Sequence, residues 1–230
     1  MKSEIPKDYK KVYIETYGCQ MNEYDTELVR SILQEENYQF VELENQADIV
    51  LLNTCSVREN ANRKVYNRIH TIRHSRNGKP VQIGMLGCMA TNFRKKLLED
   101  RQLRLDFVVG PDSYKRLPGL IREVDRKGEN AYDVTLSEFE DYSDVYPSRA
   151  SGVNAWIAVM RGCNNFCTFC VVPYTRGRER SRSPENIVEE VKRLVDEGFK
   201  QVTLLGQNVN SYHYEGKDFA YLLERVSNVE

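Results

Sequence analysis

Cys163, Cys167 and Cys170 fall within eight residues, in the spacing C-x3-C-x2-C. Three thiolates this close can face one metal cluster. A cubane iron–sulfur cluster usually takes four cysteines, so three leave one iron open to chelate a small molecule. Zinc is the competing reading, but zinc motifs favour paired C-x2-C units and four ligands. The other three cysteines, Cys19, Cys55 and Cys88, are dispersed in the contexts Tyr17-Gly-Cys, Asn53-Thr-Cys and Leu86-Gly-Cys. Each stands just past a strand-like run. In a parallel sheet such ends share one edge, where residues distant in sequence converge. Gly18 and Gly87 permit tight turns and close backbone approach there. Three unrelated buried thiols are the alternative, because free cysteine packs as a small hydrophobe.

The elements that must position these residues alternate. Strands are predicted at Val12–Tyr17, Ile49–Thr54, Gln82–Leu86 and Phe107–Val109. Between them, Asn22 or Asp25 caps a helix running to Asn37, with Leu28, Ile32 and Leu33 as its apolar stripe. Ser56 caps a second helix with Val57, Ala61, Val65, Ile69 and Ile72 on one face, ended by Asn77-Gly78. Thr91–Asp100 and Ser113–Lys127 read as two more. Repeated β-α-β order predicts a parallel sheet with helices on both faces.

The polar stretch 129–152 reads as a linker with one short strand, Tyr132–Leu136. Alternation resumes with a strand at Ala155–Met160, a Ser183-capped helix at Pro184–Glu197, a strand at Gln201–Leu205 and a helix at Asp218–Val226. The division is therefore 1–128, a linker, and 153–230. The last part is too short to close a (β/α) barrel, which takes ~250 residues.

A chain of 230 residues, 40 % hydrophobic and 29 % charged, suits one or two domains with buried cores. The net charge of −1 gives no global attraction for nucleic acid. No apolar run approaches the ~18 residues of a membrane span. The first residues are too charged for a secretory signal. The expectation is a cytoplasmic protein, where clustered cysteines serve metals or catalysis.

The C-x3-C-x2-C run after a strand, with aromatic Phe169 before its last cysteine, resembles the signature of the radical S-adenosylmethionine (SAM) superfamily. Both cysteine sets, in this order, resemble the methylthiotransferases. The words Tyr17-Gly-Cys-Gln-Met-Asn22, Asn53-Thr-Cys-Ser-Val-Arg58, Gly87-Cys-Met-Ala90 and Pro173-Tyr-Thr-Arg-Gly-Arg178 are similar to the MiaB type, which modifies tRNA. The ribosomal-protein branch reads Gly-Cys-Pro-Lys-Asn at the first cysteine, and the threonylcarbamoyl-adenosine branch Gly-Cys-Lys-Val-Asn.

The resemblance implies a Rossmann- or flavodoxin-like α/β domain followed by the start of a radical SAM partial TIM barrel. It implies two [4Fe-4S] clusters, an auxiliary one on Cys19, Cys55 and Cys88 and a catalytic one on Cys163, Cys167 and Cys170. One SAM methylates sulfur at the auxiliary site. A second is cleaved reductively to a radical that takes hydrogen from C2 of N6-isopentenyladenosine at position 37, and the methylthio group follows. Expected partners are the anticodon stem-loop of tRNA and an electron donor such as flavodoxin or ferredoxin, with no membrane and a monomeric enzyme. The family's complete barrel and RNA-binding TRAM domain do not fit in this length, so the chain resembles the N-terminal half of such an enzyme.

Several further residues are candidates. Phe169 is expected near the adenine of SAM. Gly206, Gln207 and Asn208, after the second barrel strand, occupy the place of the superfamily's Gly-rich segment near the SAM amino group. A solvated strand-end turn is the alternative. Arg176, Arg178, Arg180 and Arg182 alternate, which in an extended loop puts them on one side to meet the SAM carboxylate or RNA phosphates. An ion-paired loop is the alternative. Arg58, Arg63, Lys64, Arg68, Arg73, Arg76 and Lys79 make the second helix basic, either a tRNA face or a solvated helix. His70, His74 and His213 have no ligand spacing to the cysteines.

Overall fold

Every residue of Ile49–Thr54 is buried, the pattern of a parallel strand covered on both faces. A computed structural model of the protein describes residues 10–56, 59–76 and 79–229. Its first unit runs β1 (Lys11–Thr16), α1 (Gln20–Glu35), β2 (Gln39–Phe40), β3 (Ile49–Thr54), α2 (Glu59–Ser75), β4 (Gln82–Gly87), α3 (Cys88–Phe93), α4 (Lys96–Glu99), β5 (Phe107–Val109), α5 (Leu117–Lys127) and β6 (Ala131–Asp133). The six strands pair in parallel in the order β2-β1-β3-β4-β5-β6. This is a doubly wound sheet whose direction of winding reverses between β1 and β3, where such sheets place their sites. Leu28, Leu33, Leu117 and Ile121 fill one face, and Val65, Ile69, Ile72 and Leu97 the other.

Several elements differ from expectation. Helix α1 starts at Gln20 with Cys19 at its N-cap, ahead of Asn22 and Asp25. The helix predicted at Thr91–Asp100 is two short ones, broken where Arg94 takes a left-handed φ of 53°. Tyr114–Arg116 forms a 3-10 turn, and α5 opens at Leu117 with Pro118 in its first turn, where a missing N–H costs nothing. Residues 129–152 do more than link: β6 extends the sheet and Tyr142 and Val145 enter its core. The first unit therefore continues past residue 128. Val57, Arg58, Asn77 and Gly78 lie outside the described residues, as do the first nine and the side chains of Glu59 and Ala61.

The second unit runs β7 (Asn154–Ala158), β8 (Met160–Arg161), α6 (Val172–Thr175), β9 (Arg180–Ser181), α7 (Pro184–Asp196), β10 (Gln201–Leu205), β11 (His213–Tyr214), β12 (Lys217–Asp218) and α8 (Phe219–Ser227). Strands β7 and β10 pair in parallel, with α7 as their crossover. Ser183 Oγ accepts from Asn186 N at 3.1 Å to cap α7, and Asp218 Oδ1 accepts from Tyr221 N at 2.9 Å to cap α8. Trp156, Ala158 and Leu205 pack into the same core as α1. Helix α1 is thus covered by the sheet on one side and by the second unit on the other. No helix among the described residues is long and apolar enough to cross a membrane.

Candidate cluster-binding sites

Cys19, Cys55 and Cys88 follow β1, β3 and β4, which are neighbours in the sheet, at their carboxyl ends. Gly18 has φ +133°, and a Cβ there would lie 2.7 Å from Cys55 Cβ. Only glycine lets the first two loops approach this closely. The first turn of α1 is latched to the end of β3: Asn53 Nδ2 donates to Asn22 O at 2.9 Å and to Thr26 Oγ1 at 3.0 Å. Asn22 Nδ2 donates to Tyr17 O at 2.9 Å, and the Cys19 thiol reaches Asn22 Oδ1 at 3.9 Å. Cys88 opens α3 and its sulfur accepts from Arg176 Nε at 3.2 Å.

The second set lies in the loop after β8. Cys163 is buried, Cys170 half-buried and Cys167 exposed. Cys163 N donates to Gly177 O at 3.1 Å, and Cys170 N to Cys167 O at 2.9 Å. Gly162 has φ +74°, and a Cβ on it would run into the carbonyl of Arg178. The cysteine loop is therefore seated on the following arginine segment. Phe166 meets Tyr174 edge-on at 6.0 Å, and the Arg178 guanidinium lies 5.5 Å from the Phe166 ring centre. Phe169 is 91 % exposed.

Gly206, Gln207 and Asn208 follow β10, on the same strand-end edge as the cysteine loop. A Cβ on Gly206 would lie 2.5 Å from Met160 Cγ, so this turn packs against the strand that leads into Cys163. Gln207 Oε1 is buried without a protein donor.

The arginine segment departs from the expected one-sided ladder. Arg176, Arg180 and Arg182 are buried. Arg176 pairs with Asp25 at 2.7 Å, Arg180 with Asp112 at 2.9 Å and Arg182 with Glu190 at 2.7 Å. Strand β9 is only two residues long and holds Arg180 alone of the four; Arg176 and Arg182 lie outside it, and each of the three buried arginines meets a different acid. Arg178 alone of the four stays exposed. The basic helix α2 is also partly neutralised from outside itself. Arg68 pairs with Glu15 and Glu44, Arg73 with Asp106, and Arg76 Nη2 donates to Glu44 O. Arg63 and Lys64 remain at the surface.

A buried charge cluster between the two units was not apparent from motifs. Asp25, fully buried, faces Arg161 at 2.9 Å and Arg176 at 2.7 Å, and Tyr114 Oη donates to it at 3.3 Å. Burial works against the charge of Arg176, but Asp25 outweighs it and holds the pKa well above the usual value. The sequence did carry one signal: Asp25 lies on the buried stripe of α1 beside Leu28, where an acid needs a cation.

Among the described residues no three His, Cys, Asp or Glu side chains are disposed to hold a single metal ion. A cluster makes a different demand, since each thiolate binds a different iron. The donor set fits such a group at both places: thiols only, brought to one sheet edge or one loop, with glycines clearing the approach.

Residues 11–110 match the model of the uncharacterized protein family UPF0004, and residues 157–230 match that of the radical SAM superfamily. The two matches lie one after the other, in the sheet unit and in the unit that carries the C-x3-C-x2-C loop. The chain is 50 % identical over 222 residues to a tRNA-2-methylthio-N(6)-dimethylallyladenosine synthase of Chloroherpeton thalassium, covering 95 % of this chain and 49 % of that protein. It is 50 % identical over 219 residues to the protein of that name in Bacteroides fragilis, covering 93 % and 47 %. With that of Parabacteroides distasonis it shares 47 % over 234 residues, covering 99 % and 50 %. The chain spans about half the length of these curated relatives. The fold recurs in the radical S-adenosylmethionine methyltransferase TsrM of Kitasatospora setae, with a TM-score of 0.60 at 15 % identity, over 87 % of this chain and 48 % of that one.

Proposed function

We propose that this chain carries both cluster sites of a radical SAM tRNA methylthiotransferase, which adds a methylthio group to C2 of N6-isopentenyladenosine at position 37. The observation that carries the reading is the gathering of Cys19, Cys55 and Cys88 at one edge, in contact through Arg176 with the segment that seats Cys163, Cys167 and Cys170. A single three-thiol site serves SAM cleavage; a second, adjacent one suits sulfur donation. The names of the similar proteins support the substrate.

In this reading Cys163, Cys167 and Cys170 hold a cluster with an open iron for SAM, and Cys19, Cys55 and Cys88 hold the auxiliary cluster. Bound clusters and SAM would supply the electron and the radical needed at an unactivated C–H bond. The chain's own part is placement. Gly206 lets the turn close against Met160, which brings Gln207 to the strand-end edge of the cysteine loop. Gln207 offers a buried acceptor to the SAM amino group. Exposed Phe169 offers a stacking face for the adenine. Exposed Arg178, Arg63, Lys64 and Lys79 offer cations to tRNA phosphates. Flavodoxin or ferredoxin supplies electrons, and a monomer working with tRNA in the cytoplasm completes the reading.

The test is anaerobic reconstitution with iron and sulfide, scored by metal content, electron paramagnetic resonance and SAM cleavage. Two four-iron clusters are expected. The triple change of Cys163, Cys167 and Cys170 to Ala should leave one and abolish cleavage. Stoichiometric zinc in a colourless protein, or cleavage that survives the triple change, would sink the proposal.

A further inference from the structure

Arg176 joins the two cysteine sites through one side chain. It follows Cys170 by six positions and is only 2 % exposed. Its Nε donates to Cys88 Sγ at 3.2 Å, and its Nη2 donates to Asn22 Oδ1 at 2.9 Å and to Asp25 Oδ2 at 2.7 Å. Asn22 Oδ1 also lies 3.9 Å from the Cys19 sulfur. One guanidinium therefore touches one thiol and stands a single link from another.

A plain structural ion pair does not account for this arrangement. A guanidinium devoted to a carboxylate aligns two N–H groups with its two oxygens. Here Asp25 offers Arg176 one oxygen, while Arg161 stands 2.9 Å from the other. Nε is turned to sulfur instead. The buried cluster sets three guanidiniums, Arg161, Arg176 and Arg180, against two carboxylates, Asp25 and Asp112, so the environment of Cys88 keeps an excess of positive charge. Nη1 of Arg176 is buried without a protein partner.

We propose that Arg176 is a positioning residue that sets the reduction potential of the cluster held by Cys19, Cys55 and Cys88, tying that potential to the seating of the arginine segment. The proposal rests on the reading that these thiols hold a cluster. Hydrogen bonds and charge at ligand sulfurs are the protein's levers on cluster potential. An added electron makes the sulfur more negative, so the Nε–H donor and the positive charge stabilise the reduced state. Removing them lowers the potential.

The test is an anaerobic titration with dithionite and mediators on the reconstituted protein, each cluster followed by electron paramagnetic resonance. Arg176→Gln should lower the reduced-to-oxidised ratio of the Cys19/Cys55/Cys88 cluster about tenfold at fixed potential, ~59 mV for one electron. The Cys163/Cys167/Cys170 cluster should not move. Arg176→Lys keeps the charge without the Nε donor and should recover part of the shift. If Arg176→Gln does not accumulate, Arg176→Lys alone decides, because a wild-type potential in it overturns the proposal. An unchanged potential, or an equal shift in both clusters, also overturns it. The underlying reading is checked on otherwise wild-type protein: if the Cys163/Cys167/Cys170 triple change leaves no iron bound, that reading fails before Arg176 is touched.

Discussion

Asn in place of Asp25 probes the charge cluster that holds the two units together. Asp25 has no exposed surface and serves both Arg161 and Arg176. The amide is nearly the same shape, so packing is preserved and only the charge goes. Two buried guanidiniums then lose their shared anion. Removing one partner of a buried ion pair costs about 3–5 kcal/mol, because the remaining charge stays desolvated. The second arginine pushes the effect toward the upper end. For a chain of this size, each kcal/mol moves the midpoint by ~2–4 °C, so Asp25→Asn should melt roughly 6–20 °C lower. Calorimetry and urea titration of the metal-free protein would measure this. Glu123→Gln, which removes a surface pair with Lys127, serves as the control and should leave the midpoint where it was. Unfolding of Asp25→Asn within ~1 kcal/mol of wild type would mean that something other than Asp25 neutralises the arginines, against this account.

Three further outcomes follow from the geometry. Gly18→Ala forces a side chain onto Cys55 at a left-handed φ; strain of this kind costs about 1–3 kcal/mol, and iron analysis should find the first cluster lost and the second retained. Glu27 is raised to about 7 by burial, which Arg149 only partly offsets. The folded state thus keeps this proton over a window in which the unfolded chain, near 4.5, has released it, so stability should fall as pH rises from ~5 to ~7.5. Urea midpoints across that range should show the slope, and Glu27→Gln should flatten it. Phe169→Ala should leave the melting temperature unchanged, because the ring is 91 % exposed, yet weaken SAM binding about tenfold in equilibrium dialysis through lost stacking.

The sheet could be read from the sequence because parallel strands are continuous apolar runs. Ile49–Thr54, Phe107–Val109 and Gln201–Leu205 fall where expected. The convergence of the dispersed thiols followed from the same fact, as three strand ends in one parallel sheet share an edge. Local geometry was less legible. Arg94 breaks a helix by adopting a left-handed φ that no residue preference signals, and the short strand read at Tyr132–Leu136 is β6 at Ala131–Asp133, whose place in the sheet its polar surroundings did not show. The arginines were the hardest. Their spacing suggested one charged face, whereas their partners Asp25, Asp112 and Glu190 come from three separate elements. Only the tertiary fold decides that Arg176 meets Cys88, because 88 positions separate them.

The double coverage of α1 has a consequence for synthesis on the ribosome. Asp25 emerges 151 residues before Arg176. At ~5–20 residues per second, the helix waits about 8–30 s with a bare carboxylate and an uncovered apolar flank. The first unit can close its sheet in that time, but its outward side stays adhesive until the later strands arrive. Nascent chains stalled between residues 150 and 175 should therefore recruit chaperones that stop binding once the arginine segment has cleared the exit tunnel.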